Sequence, residues 1–234
     1  MENLSMLHPH LVSGTLATEG LSDQVYNLLQ YLDIASRATS GGELAVDDFV
    51  KEILRALGYE NRGIILRTRH DIPQLANRVY GVATQPAVTA TDVCLFQDSS
   101  TILLVALGSD ADVNSSEPEP QLIAKAITAF QRNNRVRSRL GETPLDFMNI
   151  PCIMMVGARP SFYLVRVTKE LSDAVMTRRY PPTRTVVEKC VVQSNSRRLS
   201  EGMESPEFRQ LAFLHFIAFH ALAETHWSPF MVQH

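Results

Sequence analysis

Apolar residues recur at helical spacing in four stretches of this chain and form near-continuous runs in several others. Leu21, Val25, Leu28, Leu29 and Leu32 predict a helix within 16–37. After a break at Ser40-Gly41-Gly42, Leu44, Phe49, Ile53, Leu54 and Leu57 mark a second helix over 43–57. Glu43, Asp47 and Asp48 load its first turns with acid, which suits the positive helix end, and Gly58 supplies a stop. A third helix over 119–135 carries Leu122, Ile123, Ala126, Ile127 and Phe130 on one face. A fourth over 206–225 is nearly all apolar between Leu211 and Leu222, the pattern of a helix buried in a core or in a partner interface.

Between these helices the pattern is that of strands. Gly63-Ile64-Ile65-Leu66, followed by Arg67, Arg69 and His70, reads as one strand, with a helical turn over 73–80. Residues 91–96 and the continuous run 101–107 read as a hairpin around Gln97-Asp98-Ser99-Ser100. Residues 108–120 hold aspartates, Glu117 and Glu119 and two prolines, the composition of a solvated loop. Strands over 152–157 and 162–168 flank a turn at 158–161. A short helix over 169–177 and a strand over 183–192 follow, then a polar, mobile stretch over 193–205. The expected fold is α/β: a mixed central sheet with helix, three strands, helix, strand as its core. The expected division is a lead-in and helix over 1–39, the core over 40–192, and a C-terminal part over 193–234 packed on the core or on a partner.

Composition narrows the class without naming a function. The 234 residues are 45% apolar and 20% charged, enough for a core without staples, and no ~18-residue apolar run predicts a membrane span. A net charge of -3 leaves any anion-binding surface to local clusters. Cys94, Cys152 and Cys190 stand far apart in apolar stretches and read as buried free thiols. The start has no basic region followed by an apolar one, so the expected setting is intracellular, cytoplasmic or nuclear.

Candidate chemistry lies in polar residues where a buried sheet would not want them. Asp92 begins the second strand, and Gly108, Asp110 and Asp112 follow the third. Gln121 and Lys125, four apart, share one face of the third helix, and Glu43 starts the second. Each has a plainer explanation: a dipole charge for Glu43, a turn cap for Asp92, solvated loop acids for Asp110 and Asp112, and a surface lysine for Lys125. Arg132, Arg135, Arg137 and Arg139 form a basic stretch with no acid between residues 120 and 141, and Arg62, Arg67 and Arg69 add to it. Such a set would contact phosphates or would merely complement a helix C-terminus. His220 and Glu224 are four apart with His226 nearby, and His8 and His10 lie near the start, but there is no HExxH pattern and no nucleophile elbow.

Several stretches together resemble a known fold family. They are residues 40–49 (Ser-Gly-Gly-Glu-Leu-Ala-Val-Asp-Asp-Phe), 67–73 (Arg-Thr-Arg-His-Asp-Ile-Pro), 91–94 (Thr-Asp-Val-Cys) and 119–124 (Glu-Pro-Gln-Leu-Ile-Ala). Residues 129–134 (Ala-Phe-Gln-Arg-Asn-Asn) and 155–157 (Met-Val-Gly) complete the set. Over about residues 40–190 the chain resembles the PD-(D/E)XK, or restriction-endonuclease-like, nucleases, nearest to a large group of uncharacterised fungal proteins. The resemblance implies a divalent Mg²⁺ or Mn²⁺ ion that activates water for phosphodiester cleavage of DNA or RNA. It implies Asp92 as a metal-binding and catalytic Asp, Glu43 as the helix acid that adds a metal ligand, and Gln121 as the glutamine of the second core helix. The family's Glu-x-Lys falls here on Gly108-Ser109-Asp110. Glycine has no side chain to bind metal, and Asp cannot replace lysine. The site is therefore either dead or rebuilt, with Asp110 or Asp112 as second carboxylate and Lys125 supplying the ammonium. In some relatives the lysine has moved to this helix.

Two functions follow as expectations. One is a metal-dependent nuclease; the other is an inactive nuclease-like module that binds nucleic acid or protein through the old cleft. Phe213, Phe216, Ile217 and Phe219 on the last helix add the expectation of a homodimer.

Overall fold

The computed structural model of the chain describes residues 22–37, 42–73, 88–98, 100–109, 118–193 and 201–230; the side chains of 69–73 and 88–92 are outside the described set. Five α-helices and six strands are described. In order they are α1 (Asp23–Ser36), α2 (Glu43–Ala56), β1 (Ile64–Pro73), β2 (Val88–Gln97), β3 (Thr101–Ser109) and α3 (Pro118–Arg139). Then come β4 (Phe147–Val156), β5 (Arg159–Thr168), α4 (Lys169–Met176), β6 (Val187–Val191) and α5 (Pro206–Trp227), closed by a 3₁₀ turn at Ser228–Phe230.

Local chemistry sets the helix starts. The Ser22 hydroxyl accepts from Val25 N at 3.4 Å, and the Thr168 hydroxyl accepts from Leu171 N at 3.1 Å, so each cap satisfies one orphan amide. Pro206 opens α5, where its missing N–H costs nothing.

The six strands form one mixed sheet in the order β1-β2-β3-β4-β5-β6. All neighbours are antiparallel except β3 and β4, which run parallel. A parallel pair needs a crossover, and α3 provides it. The α/β architecture expected from the sequence, with helix, three strands, helix, strand at its centre, is the one observed.

Two apolar clusters cover the two faces. On one face α1, α2 and α5 pack against Val93, Leu95, Leu104, Ala106, Ile153 and Phe162. On the other α3 packs against Cys94, Phe96, Val105, Leu107, Met154 and Tyr163. Asn133 joins α3 to the sheet. Its Oδ1 accepts from Ile102 N at 2.8 Å and its Nδ2 donates to Ile102 O at 2.9 Å, satisfying both backbone groups of one strand residue.

Several details differ from the sequence reading. Leu44 is exposed, and the buried stripe of α2 is instead Val46, Asp47, Phe49, Val50, Ile53 and Leu54. β1 runs three residues past His70 to Pro73, because pairing with β2 continues there; residues 74–80 of the expected helical turn lie outside the described residues. β4 starts at Phe147, and its turn into β5 is only Gly157-Ala158, which Gly157 permits at φ 56°. Cys94 and Cys152 are buried, but Cys190, on the last strand, is exposed. Phe213, Phe216 and Phe219 are buried in the chain's own core, Phe216 and Phe219 each with its ring 5.0 Å from that of Phe162. Among the described residues no helix is long and apolar enough to cross a membrane.

Candidate functional site

The C-terminal end of β3 is where an acid meets the sheet. Asp47 sits three residues before Val50 and seven before Leu54, so α2 turns it toward the sheet with its apolar stripe. It is only 5% exposed, and its Oδ1 accepts from Gly108 N at 3.1 Å. Gly108 makes room for this approach. A Cβ there would overlap Asp47 Oδ1 and would stand 3.0 Å from Asp47 N and 3.2 Å from Val46 Cβ. The carboxylate thus occupies space that a strand side chain at 108 would fill. Glu43, one turn earlier on α2, is exposed at its first residue.

Strand alternation carries Gly108 toward α2, with Leu104 and Ala106, and Ser109 toward α3, with Val105 and Leu107. Ser109 is buried, and its carbonyl accepts from Gly157 N at 2.9 Å, which joins the β4–β5 turn to this end of the sheet. Lys125, expected as a surface lysine, is 7% exposed on the sheet-facing side of α3. Counting from the Asn133–Ile102 bonds, Lys125 lies about 12 Å along α3, level with β3 three to four residues past Ile102, and Gln121, exposed, lies about one helical turn nearer the strand's end. The predicted residues therefore come from two layers, Glu43 from α2 and Lys125 and Gln121 from α3, with β3 between them, and Asp47 joins Glu43 from the α2 side.

Asp92 precedes Val93, whose partner on β3 is Ala106. Its side chain, that of Arg69, and all of Asp110, Asp112, His8 and His10 lie outside the described residues.

At the first turn of α3 the Glu119 carboxylate accepts from Lys189 Nζ of β6 and from the Tyr163 hydroxyl of β5, the latter at 2.9 Å. The Lys189 bond, then the Tyr163 bond, hold the Glu119 pKa below the ordinary carboxylate value; burial pushes the Tyr163 phenol up.

The arginines divide. Arg137 donates to Thr143 O at 2.9 Å and pairs with Glu142 at 2.9 Å, so it is used by the α3–β4 connection. Arg135 borders a groove of about 310 Å³ between α3 and α4 that includes Phe130 and Met176, and Arg139, exposed, is the last residue of α3. Arg67 and Arg132 both lie by the ring of Phe96, at 5.7 and 5.0 Å from its centroid.

The histidines have structural surroundings. His220 stacks on Tyr59 at 4.1 Å with Glu224 at 3.7 Å, and His226 Nδ1 is 3.3 Å from Asn149 Nδ2. Among the described residues no three His, Cys, Asp or Glu side chains gather as a metal-binding group. Asp47 is the residue the sequence reading passes over. As an acid near the helix start it is explained by the dipole, but its place on the Val50–Leu54 stripe was the signal. A hard divalent ion would find carboxylate oxygen from Asp47 at the sheet and from Glu43 one turn away.

No protein-family model matches the chain, and no curated protein matches it.

Proposed function

We propose that this is a nuclease-like protein that acts on DNA or RNA phosphodiesters with Mg²⁺ or Mn²⁺, through a site rebuilt at the end of β3. The observation that supports this reading most is the buried Asp47 carboxylate set against Gly108, the position where a Glu-x-Lys strand would carry its acid. The core order of helix, three strands, helix, strand supports it as well. In this reading Asp47, Asp92 and Glu43 hold the ion, with Asp110 as a further carboxylate. Gln121 and Lys125 serve the substrate from the α3 side. When bound, the ion would polarise the phosphoryl group and lower the pKa of a water. The protein's own groups orient the phosphodiester and keep a cation beside it. The setting is intracellular, cytoplasmic or nuclear. The homodimer expected through α5 is a separate proposal on which this reading does not depend; Phe213, Phe216 and Phe219 face the chain's own core, and Leu222 is the exposed large apolar residue of that helix.

The second reading is an inactive nuclease-like module that binds nucleic acid or protein. It is favoured by one observation: Asp47 and Lys125 approach from opposite layers, with glycine rather than an acid between them. Plasmid and RNA degradation with Mg²⁺ or Mn²⁺ separates the two, with EDTA, Asp92→Ala, Asp47→Asn and Lys125→Met as controls. Metal-dependent cleavage lost in these variants supports the first reading. No cleavage in any metal, or full cleavage in the variants, removes the site and leaves the binding module.

A further inference from the structure

We infer that Arg67 and Arg132 together form an anion site for a nucleic-acid phosphate remote from the proposed cleavage site. This deepens the nucleic-acid reading and rests on it.

Arg67 stands on β1 opposite Cys94, and Arg132 stands on α3. They are 65 residues apart in the chain, yet their guanidinium carbons lie 5.7 and 5.0 Å from one ring centroid, that of the fully buried Phe96. The two cations feel one another. The Arg132 pKa is lowered first by burial, and the charge of Arg67 lowers it further. No described carboxylate pairs with either, in contrast to Arg37 with Asp33, Arg55 with Glu52 and Glu60, and Arg137 with Glu142. Arg132 donates to the Ser100 carbonyl, which fixes it at the β2–β3 turn. Arg67 is exposed. Two cations gathered at one ring that cannot neutralise them, one anchored and one open to solvent, suit a phosphate.

The position sets the role. The ring of Phe96 that both arginines share belongs to the partner of Ile102, six residues before Gly108 along β3, about 20 Å at ~3.3 Å per residue. With one phosphate per ~3.4 Å of axis on each strand of a duplex, that is about six base pairs. A phosphate held here is not the one to be cut. The pair grips the substrate at a distance and contributes affinity that carries no sequence information.

Arg67→Glu tests this, because it moves binding and stability in opposite directions. Removing the like charge, and placing a carboxylate beside Arg132, should leave the melting temperature unchanged or higher. Binding should weaken. Fluorescence anisotropy is measured in EDTA, so that cleavage plays no part, with a mixed-sequence DNA duplex of about 16 base pairs and an RNA of about the same length. Expected is at least about a tenfold loss of affinity on one of them, with the slope of log K against log salt shallower by about one to two units. Arg67→Lys should retain most of the affinity. Wild-type binding with no loss in Arg67→Glu overturns this inference and leaves the nucleic-acid reading standing. A fall in melting temperature alongside the loss shows a structural role only and overturns it too. No binding by wild type at low salt removes both.

Discussion

Asp47 and Gly108 lie 61 residues apart and share one piece of space: Asp47 Oδ1 accepts the Gly108 amide proton at 3.1 Å, in the volume a side chain on 108 would need. Gly108→Ala should therefore destabilise by about 1–3 kcal/mol through overpacking. In Asp47→Ala/Gly108→Ala the clash with the carboxylate is gone, so the double variant should be more stable than the sum of the singles implies. Denaturant unfolding of all four proteins measures that coupling, and strict additivity would rule out the shared space.

Asp47→Ala leaves the buried Gly108 N–H without its acceptor, a loss of about 1–3 kcal/mol. Asp47→Asn keeps an acceptor oxygen but removes the charge. The asparagine variant should thus melt close to wild type while losing Mn²⁺-dependent cleavage and Mn²⁺ binding by calorimetry. Equal Mn²⁺ binding in wild type and variant would leave Asp47 as a purely structural tie.

His220 supplies a pH dependence. Burial lowers its pKa below 6.5, and Glu224 only partly offsets this. Tyr59 stacks on it and Trp227 lies 5.9 Å away, and neither ring supplies a countercharge. The unfolded chain takes up the proton first, so stability is full above about pH 6.5 and falls as pH drops below it. His220→Phe keeps the stack and should flatten that limb in thermal melts between pH 7.5 and 5. An unchanged slope would show that other groups carry the acid sensitivity.

Glu119 joins α3 to the two final strands through Tyr163 and Lys189. Because its pKa is lowered on folding, its contribution is present above the unfolded carboxylate value and is lost as pH falls through the folded one. Glu119→Gln should release β6 first, seen as faster amide exchange over Val187–Val191 with β3 and β4 unchanged. Uniform exchange across the sheet would contradict a local clamp.

Arg209 is a buried cation whose Nε has no hydrogen-bond partner among the described residues, and burial lowers its pKa. An unmet donor costs about 1–3 kcal/mol, so Arg209→Met should be at least as stable as wild type. A large drop in melting temperature would show that the 3.5 Å bond from its Nη2 to Glu204 O outweighs the orphaned nitrogen.

Much of the fold is legible in local pattern. The run 101–107, bounded by the turn at 97–100, reads as a buried strand, and the spacing of Leu122, Ala126 and Phe130 reads as an amphipathic helix, as both prove to be. Boundaries are less so, because register with a neighbour extends β1 past His70 through Asp71, Ile72 and Pro73, where the sequence pattern ends the strand and begins a helical turn. The candidate site is legible in its residue types but not in its layers. Lys125 reads as a solvated lysine until packing buries it. Gly108 reads as a lost acid until helix α2 is seen to bring another carboxylate to the same place. The Arg67–Arg132 juxtaposition depends on which strand pairs with which, and no spacing along the chain encodes that.

The bonds from Asn133 to both backbone groups of Ile102 imitate what a neighbouring strand would offer, so the helix is indexed to the sheet like a toothed rack. Sliding α3 along β3 would break both contacts at once. The span between the arginine pair and the glycine at the far end of the strand is thereby a fixed ruler, and a ligand touching both must match its length.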